Sequence, residues 1–276
     1  MKFLLLLFLP CLAFAAQRPS HDQVIKGKIH FAYSLPEAVP KGGAPCLVVL
    51  NGLETGQDAL KLVKDPDPYA LIAYEYPPLV QQMWSPKALQ YPYATRKAIL
   101  GVPQQILEVV RWVMAQPWWD GQPVSLMGLS FGATFIPAVF HLALKEGIAL
   151  GPSVIAFGGA DIEALFRANL PQDGIPPEPA AALFAWLLRP LEPSLHTPYM
   201  KGEFLIIYGT KDQRIPVKNA QELADQIPEP KTIVALPVDH LDPDMPEPLG
   251  ETVRISKRWL DQKRIERKSL NSSSFK

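Results

Sequence analysis

The stretch Val124-Ser125-Leu126-Met127-Gly128-Leu129-Ser130-Phe131-Gly132-Ala133 decides how the rest of this chain is read. Val124 to Met127 is a short, β-prone apolar run, and the residues from Phe131 to Lys145 keep the composition and spacing of a helix. Between the two, Gly128-Leu129-Ser130-Phe131-Gly132 leaves no room for an ordinary loop. A strand that turns into a helix this tightly forces Ser130 into an unfavourable backbone conformation. Side chains two positions either side would collide, so both positions are glycine. The Ser130 hydroxyl is then exposed at the carboxyl end of a strand. Beside it lies a helix amino terminus, whose dipole and free N–H groups favour an oxyanion. Taken alone, Gly-x-Ser-x-Gly is a weak signal, and a glycine-rich connector with a buried serine is the alternative. The flanking strand and helix make Ser130 a candidate nucleophile.

Working outward, near-continuous apolar runs recur along the chain: Cys46 to Leu50, Leu71 to Tyr74, Val124 to Met127, Val154 to Phe157, Phe204 to Tyr208 and Ile233 to Leu236. Such runs suit strands buried on both faces of a parallel sheet. Helical stretches lie between them, at about Thr95 to Ala115, Phe131 to Lys145, Val217 to Gln226 and Glu251 to Arg264. Val24 to Tyr33 partly alternates, as an exposed edge strand or hairpin would. The alternation predicts an α/β fold, a doubly wound and mostly parallel sheet with helices on both faces.

A serine hydroxyl is a weak nucleophile until a base takes its proton. Of five histidines, His21 and His30 precede the sheet core, and His141 lies inside the helix after Ser130. His196 sits in a proline-flanked segment. His240 follows the last strand in the loop Pro237-Val238-Asp239-His240-Leu241-Asp242, at the carboxyl edge where open α/β sheets bind ligands, and is the candidate base. The base needs a carboxylate to hold its tautomer. Asp212, in the loop after Phe204 to Tyr208, meets that need, with Asp161 as the rival after the preceding strand. Asp239, Asp242 and Asp244 read as loop charges.

The chain order Ser130, Asp212, His240 is that of the α/β-hydrolases. Leu205-Ile206-Ile207-Tyr208-Gly209-Thr210-Lys211-Asp212-Gln213-Arg214-Ile215-Pro216 resembles the acid-bearing segment of their dienelactone-hydrolase-like and prolyl-oligopeptidase-like branches. The resemblance covers nearly the whole chain after its leader and implies an α/β-hydrolase fold. It also implies an oxyanion hole formed by the Leu53 and Phe131 main-chain N–H groups. In that family a His-Gly pair precedes the first donor; here Asn51-Gly52 stands in its place, followed by Leu53 and Glu54. Glu54 would stand near the mouth of the site as a solvated loop charge, with recognition of a cationic substrate as the alternative.

Residues 1–15 read as a removable leader: Lys2, an apolar run from Phe3 to Leu12, then Ala13-Phe14-Ala15. Residues 16–262 read as one domain with a small insertion at about 160–202, and residues 263–276 as a basic, serine-rich tail that frays. The expected location is outside the cytoplasm, in a bacterial periplasm or secreted. Beyond the leader Cys46 is the only cysteine, so no internal disulfide forms. Lys+Arg and Asp+Glu both number 27, which leaves no basic surplus to argue for nucleic acid, and no long apolar run or lipidation context argues for a membrane anchor. No metal-ligand spacing, phosphate loop or dinucleotide fingerprint occurs, so no cofactor or metal is expected.

Within the insertion, Pro179 to Leu188 is apolar on all sides, and packing beneath the sheet is its default placement, with covering an acyl pocket as the alternative. Leu79 to Tyr93, with Trp84, Tyr91 and Tyr93, is a second wall or, as aromatic loops more often are, simply packing, while Trp118 and Trp119 read as packing residues. The insertion carries no charged clamp beyond Arg167 and Arg189. The expected activity is cleavage of a small-molecule carboxylic ester of short or medium acyl chain. A peptidase or amidase with the same triad, and a silent binding protein on the same scaffold, are the alternatives.

Overall fold

A computed structural model of the chain describes residues 18–52, 55–83, 90–170, 177–242 and 246–273. The strands are β1 (His21–Ile25), β2 (Ile29–Ser34), β3 (Cys46–Leu50), β4 (Ala70–Glu75), β5 (Ser125–Leu129), β6 (Ser153–Ala156), β7 (Phe204–Gly209) and β8 (Lys231–Leu236). They form one sheet in the order β1-β2-β4-β3-β5-β6-β7-β8. The β1–β2 hairpin joins β4 antiparallel, and every pairing from β4 to β8 is parallel. The partly alternating segment at Val24 to Tyr33 is thus an edge hairpin. In β3 every residue is buried, as its unbroken apolar run requires.

Two cores lie on the two faces of this sheet. Helices α3 (Pro92–Met114), α4 (Phe131–Lys145) and α7 (Val217–Gln226) cover one face, with Val102, Ile106, Phe135 and Leu223 buried beneath them. The short α1 (Gln57–Leu60) and the long α8 (Pro246–Ser273) cover the other, with Leu60, Val253 and Leu260 buried. A two-turn helix α5 (Ile162–Asn169) and α6 (Pro177–Leu188) follow β6, with α2 (Pro78–Gln81) after β4. Three 3-10 turns, Arg189–Leu191, Pro193–Leu195 and Thr197–Tyr199, lead back to β7. No helix among the described residues is long and apolar enough to cross a membrane.

Two sequence expectations are corrected. α6 does not lie beneath the sheet: it packs against α5 and α3, with Ala181 and Leu188 buried on its inner side. An all-round apolar helix has no polar face to direct it, and here its two faces meet different surroundings. The part of the tail from Lys263 to Ser273 is helical, because α8 runs on to Ser273, and residues 274–276 of the expected tail lie outside the described residues. Lys263 and Arg267, one turn apart, both reach Glu203, at 2.9 and 3.2 Å. That shared acceptor holds the extra turns against the body of the protein.

Candidate active site

The sheet order sets the place of the site before any side chain is considered. From β3 the chain steps to β4 on one side and then returns to β5 on the other, so the carboxyl ends of β3 and β5 flank a topological switch point. Gly52 follows β3 and Ser130 follows β5, at that crevice. Ser130 has φ 52° and ψ −118°, the strained backbone that its sequence context predicts. Its N–H donates to Ala156 O at 2.8 Å, fixing the turn to β6. A Cβ at Gly128 would come within 2.8 Å of Ala133 Cα, and one at Gly132 would strike Leu50 O. Both glycines are therefore demanded by close backbone approach.

Ser130 Oγ lies 2.6 Å from His240 Nε2, and His240 Nδ1 lies 2.7 Å from Asp212 Oδ2. Asp212 Oδ1 accepts the main-chain N–H groups of Arg214 at 2.9 Å and Ile215 at 2.7 Å. With both carboxylate oxygens so engaged, Asp212 is oriented by its own loop and accepts the hydrogen bond that His240 Nδ1–H donates. Nε2 is then left as the acceptor for the Ser130 hydroxyl. The Asp212 side chain is almost wholly buried and the His240 ring nearly so. The ring of Phe157 stands edge-on to His240, with centroids 5.9 Å apart.

Asp239 is the residue that sequence reasoning undervalues. Its Oδ1 accepts the N–H of His240 at 2.7 Å and the N–H of Gln213 at 3.0 Å. It thereby ties the histidine loop to the acid loop, alongside Lys211 N–H to Val238 O and Thr210 N–H to Leu236 O. The His240 N–H bond, followed by the Gln213 bond, holds the Asp239 carboxyl below its ordinary value. Asp161, the rival acid, instead caps α5 by accepting from Ala164 N–H. His21 and His30 lie on the edge hairpin, and His141 and His196 bond each other at 2.9 Å.

Phe131 opens α4, so its N–H is among the first four of a helix, which have no intrahelical acceptor. Leu53 and Glu54 lie outside the described residues. The neighbouring Gly52 N–H donates to Asn51 Oδ1 at 2.8 Å, a local bond that the substituting asparagine supplies from a buried position. The surrounding cavity encloses about 1370 Å³. Val80, Met83, Ile99 and Phe135 form one apolar wall, and Ile162, Phe166, Phe184 and Leu188 of the α5–α6 cap form the other. Gln213, Arg214, Asp239 and Asp242 supply polar groups. Tyr91 and Tyr93 are exposed and do not line it, and Trp84 lies outside the described residues. Trp118 packs face to face on Tyr33, a structural use. Among the described residues no cluster of His, Cys, Asp or Glu could hold a metal ion.

No protein-family model matches the chain, and no curated protein matches it in sequence. Solved structures do match in shape. Acetyl xylan esterase 1 from Thermoanaerobacterium sp. superposes with a TM-score of 0.60 at 16% identity, over 87% of this chain and 84% of that one. A dienelactone hydrolase from Anabaena variabilis gives 0.57 at 14% identity, over 90% and 99%. An acylaminoacyl peptidase from Pyrococcus horikoshii gives 0.61 at 13% identity, over 90% of this chain but 42% of that one. The chain has the α/β-hydrolase fold. In the terms of the α/β-hydrolase fold, Ser130 stands at the sharp turn after β5. Asp212 stands in the loop after β7 and His240 in the loop after β8.

Proposed function

We propose that this protein is an exported serine hydrolase that cleaves carboxylic esters with an apolar acyl group of short or medium length. The hydrogen-bonded chain from Ser130 through His240 to Asp212, at the head of α4, carries the reading. Ser130 Oγ attacks the ester carbonyl carbon while His240 Nε2 takes its proton. The carbonyl oxygen becomes an oxyanion at the Phe131 N–H, with the Leu53 N–H as the second donor that the family resemblance implies, and the intermediate collapses as His240 returns the proton to the leaving alcohol. Water, activated by the same imidazole, then releases the acid and restores Ser130. Asp212 keeps the ring in the reactive tautomer and stabilises its cationic form. Export rests on the leader read in residues 1–15.

The apolar walls favour an ester over a polar peptide. The test combines fluorophosphonate labelling with p-nitrophenyl esters of graded acyl length. Labelling should vanish in Ser130→Ala, with turnover reduced by several orders of magnitude and little change in melting temperature. Each buried methylene should add about 0.8 kcal/mol to binding while the cavity wall covers it, so kcat/KM should rise with acyl length and then flatten. Labelling that persists in Ser130→Ala overturns the nucleophile. Labelling without turnover of any ester moves the amidase reading ahead, and absence of both favours a silent binding protein.

A further inference from the structure

α6 has two apolar faces. Ala180, Phe184 and Leu188 line the cavity of the candidate active site. The other face, at positions 179, 182, 183 and 186, follows helical spacing and is turned to solvent, as is Pro190 in the 3-10 turn that follows, with Leu183 54% and Trp186 69% exposed. Beside Trp186 is a separate surface depression of about 450 Å³, lined by Arg96, Trp186, Leu187, Arg189, Pro190 and Leu195. Leu195 is itself 45% exposed. Soluble surfaces do not ordinarily keep large apolar side chains contiguous around a groove unless something covers them.

The charges around the depression select among possible occupants. Both ionic side chains that line it are cationic, Arg96 and Arg189. Glu192, the nearby acid, is turned inward to accept from the N–H groups of Asp161 and Ile162. The Nε of Arg96 donates to Leu187 O at 2.8 Å, which fixes that guanidinium at the carboxyl end of α6, where it lines the depression. A second copy of the chain would meet this patch through a two-fold contact and set the arginines of one copy against those of the other. A surface that offers apolar depth beneath a layer of fixed negative charge matches it without that conflict. Tryptophan and leucine enter the boundary between head groups and acyl chains, while guanidinium groups take phosphate at the level above.

We propose that the outer face of α6, with Arg96 and Arg189, docks reversibly on the surface of an anionic phospholipid bilayer. The patch is distinct from the candidate catalytic residues, and the docking holds or fails independently of ester cleavage. Residues 1–15, if they act as the leader they resemble, would carry the chain through such a bilayer and leave it beside one.

The test uses the full-length Ser130→Ala chain, so that no lipid is hydrolysed, and vesicle co-sedimentation. The chain should partition onto equimolar phosphatidylcholine–phosphatidylglycerol vesicles and far less onto phosphatidylcholine alone, with binding lost as ionic strength rises. Arg189→Gln should weaken partitioning about fivefold. Trp186→Ser should weaken it about tenfold by removing apolar depth. Both side chains are exposed, so melting temperatures should not change. If Trp186→Ser proves unstable, Leu183→Asn serves in its place. The proposal is overturned by no binding, by equal binding to both vesicle types, or by variants that bind as well as the parent. Light scattering that shows a dimer abolished by Trp186→Ser would assign the patch to a second copy instead.

Discussion

At the scale of single residues the geometry of the candidate site is largely legible in the sequence, because it depends on a few side chains with narrow requirements. Ser130 stands out because a turn this tight, closed by two obligatory glycines, forces positive φ on a residue that carries a side chain. A chain accepts that strain where the hydroxyl has to be presented at the strand end. Asp212 and His240 are placed by the strands that precede them. Asp212→Asn should lower turnover by about 10⁴, because an asparagine in its place favours the wrong imidazole tautomer, whereas Asp161→Asn should cost little. The opposite ranking in steady-state kinetics would transfer the orienting role to Asp161. Asp239 escapes the sequence because adjacency to His240 argues against contact with the ring. Its carboxylate bonds the main-chain N–H of His240 instead, a contact that no side-chain argument anticipates. Asp239→Ala should reduce kcat about tenfold with KM little changed, since it removes two hydrogen bonds of about 1 kcal/mol each that hold the two loops together. Asp239→Asn, which keeps an acceptor oxygen, should recover most of that loss. Equal defects in the two variants would mean that the charge, not the tie between loops, is what counts.

At the scale of elements, strands and amphipathic helices are readable and the all-round apolar helix is not. α7 falls on the predicted residues because its buried positions recur at helical spacing. α6 shows no such period, so its orientation is decided only by the α5 and α3 surfaces around it. The 3-10 segment after α6 is anchored by a contact that only tertiary structure reveals. His141 Nδ1 on α4 meets His196 Nδ1, whose Nε2 donates to Pro190 O at 2.8 Å, and His141 stacks on Tyr199 with centroids 3.9 Å apart. Since His196 Nε2 carries a proton, its Nδ1 accepts and His141 donates. Burial lowers the pKa of both rings; Lys145 lowers both further, whereas Glu192 and the Pro190 bond act the other way on His196. A histidine whose folded value lies below its unfolded value of about 6.5 takes up protons more readily when unfolded. Its contribution to stability is therefore complete above that value and is lost as pH falls toward the folded values. The melting temperature should drop between pH 7 and pH 5 more steeply in the parent than in His196→Gln. Parallel slopes would show that this pair does not contribute to the acid sensitivity.

At the scale of the whole molecule, the two ends of the strands have separate work. The loops after β3, β5, β7 and β8 gather Gly52, Ser130, Asp212 and His240 at one edge of the sheet. The alternation of runs in the sequence predicts that edge, but it does not give the strand order, because pairing is decided by contacts between distant segments. The opposite edge carries stability. Glu203 precedes β7 at the end remote from Asp212, and it is bonded by Lys263 and Arg267 from the last turns of α8. Trp259, one turn earlier, bonds Thr232 of β8 and lies 6.0 Å from the Lys263 ammonium. A chain ending at Gln262 would leave the half-buried Glu203 carboxylate without both cations. Partly exposed ion pairs of this kind are worth up to about 1 kcal/mol each, so truncation should lower stability by about 1 kcal/mol and the melting temperature by a few degrees. Ester turnover at room temperature should be unchanged, since Ser130, Asp212 and His240 all sit a full strand length away. Glu203→Gln should reproduce the part of the loss that belongs to Lys263 and Arg267, and truncation in the Glu203→Gln background should add only what Arg264 contributes beside the Tyr69 hydroxyl. A truncated chain as stable as the parent would mean that the last turns of α8 contribute nothing, and additive losses would mean that they act on something other than Glu203.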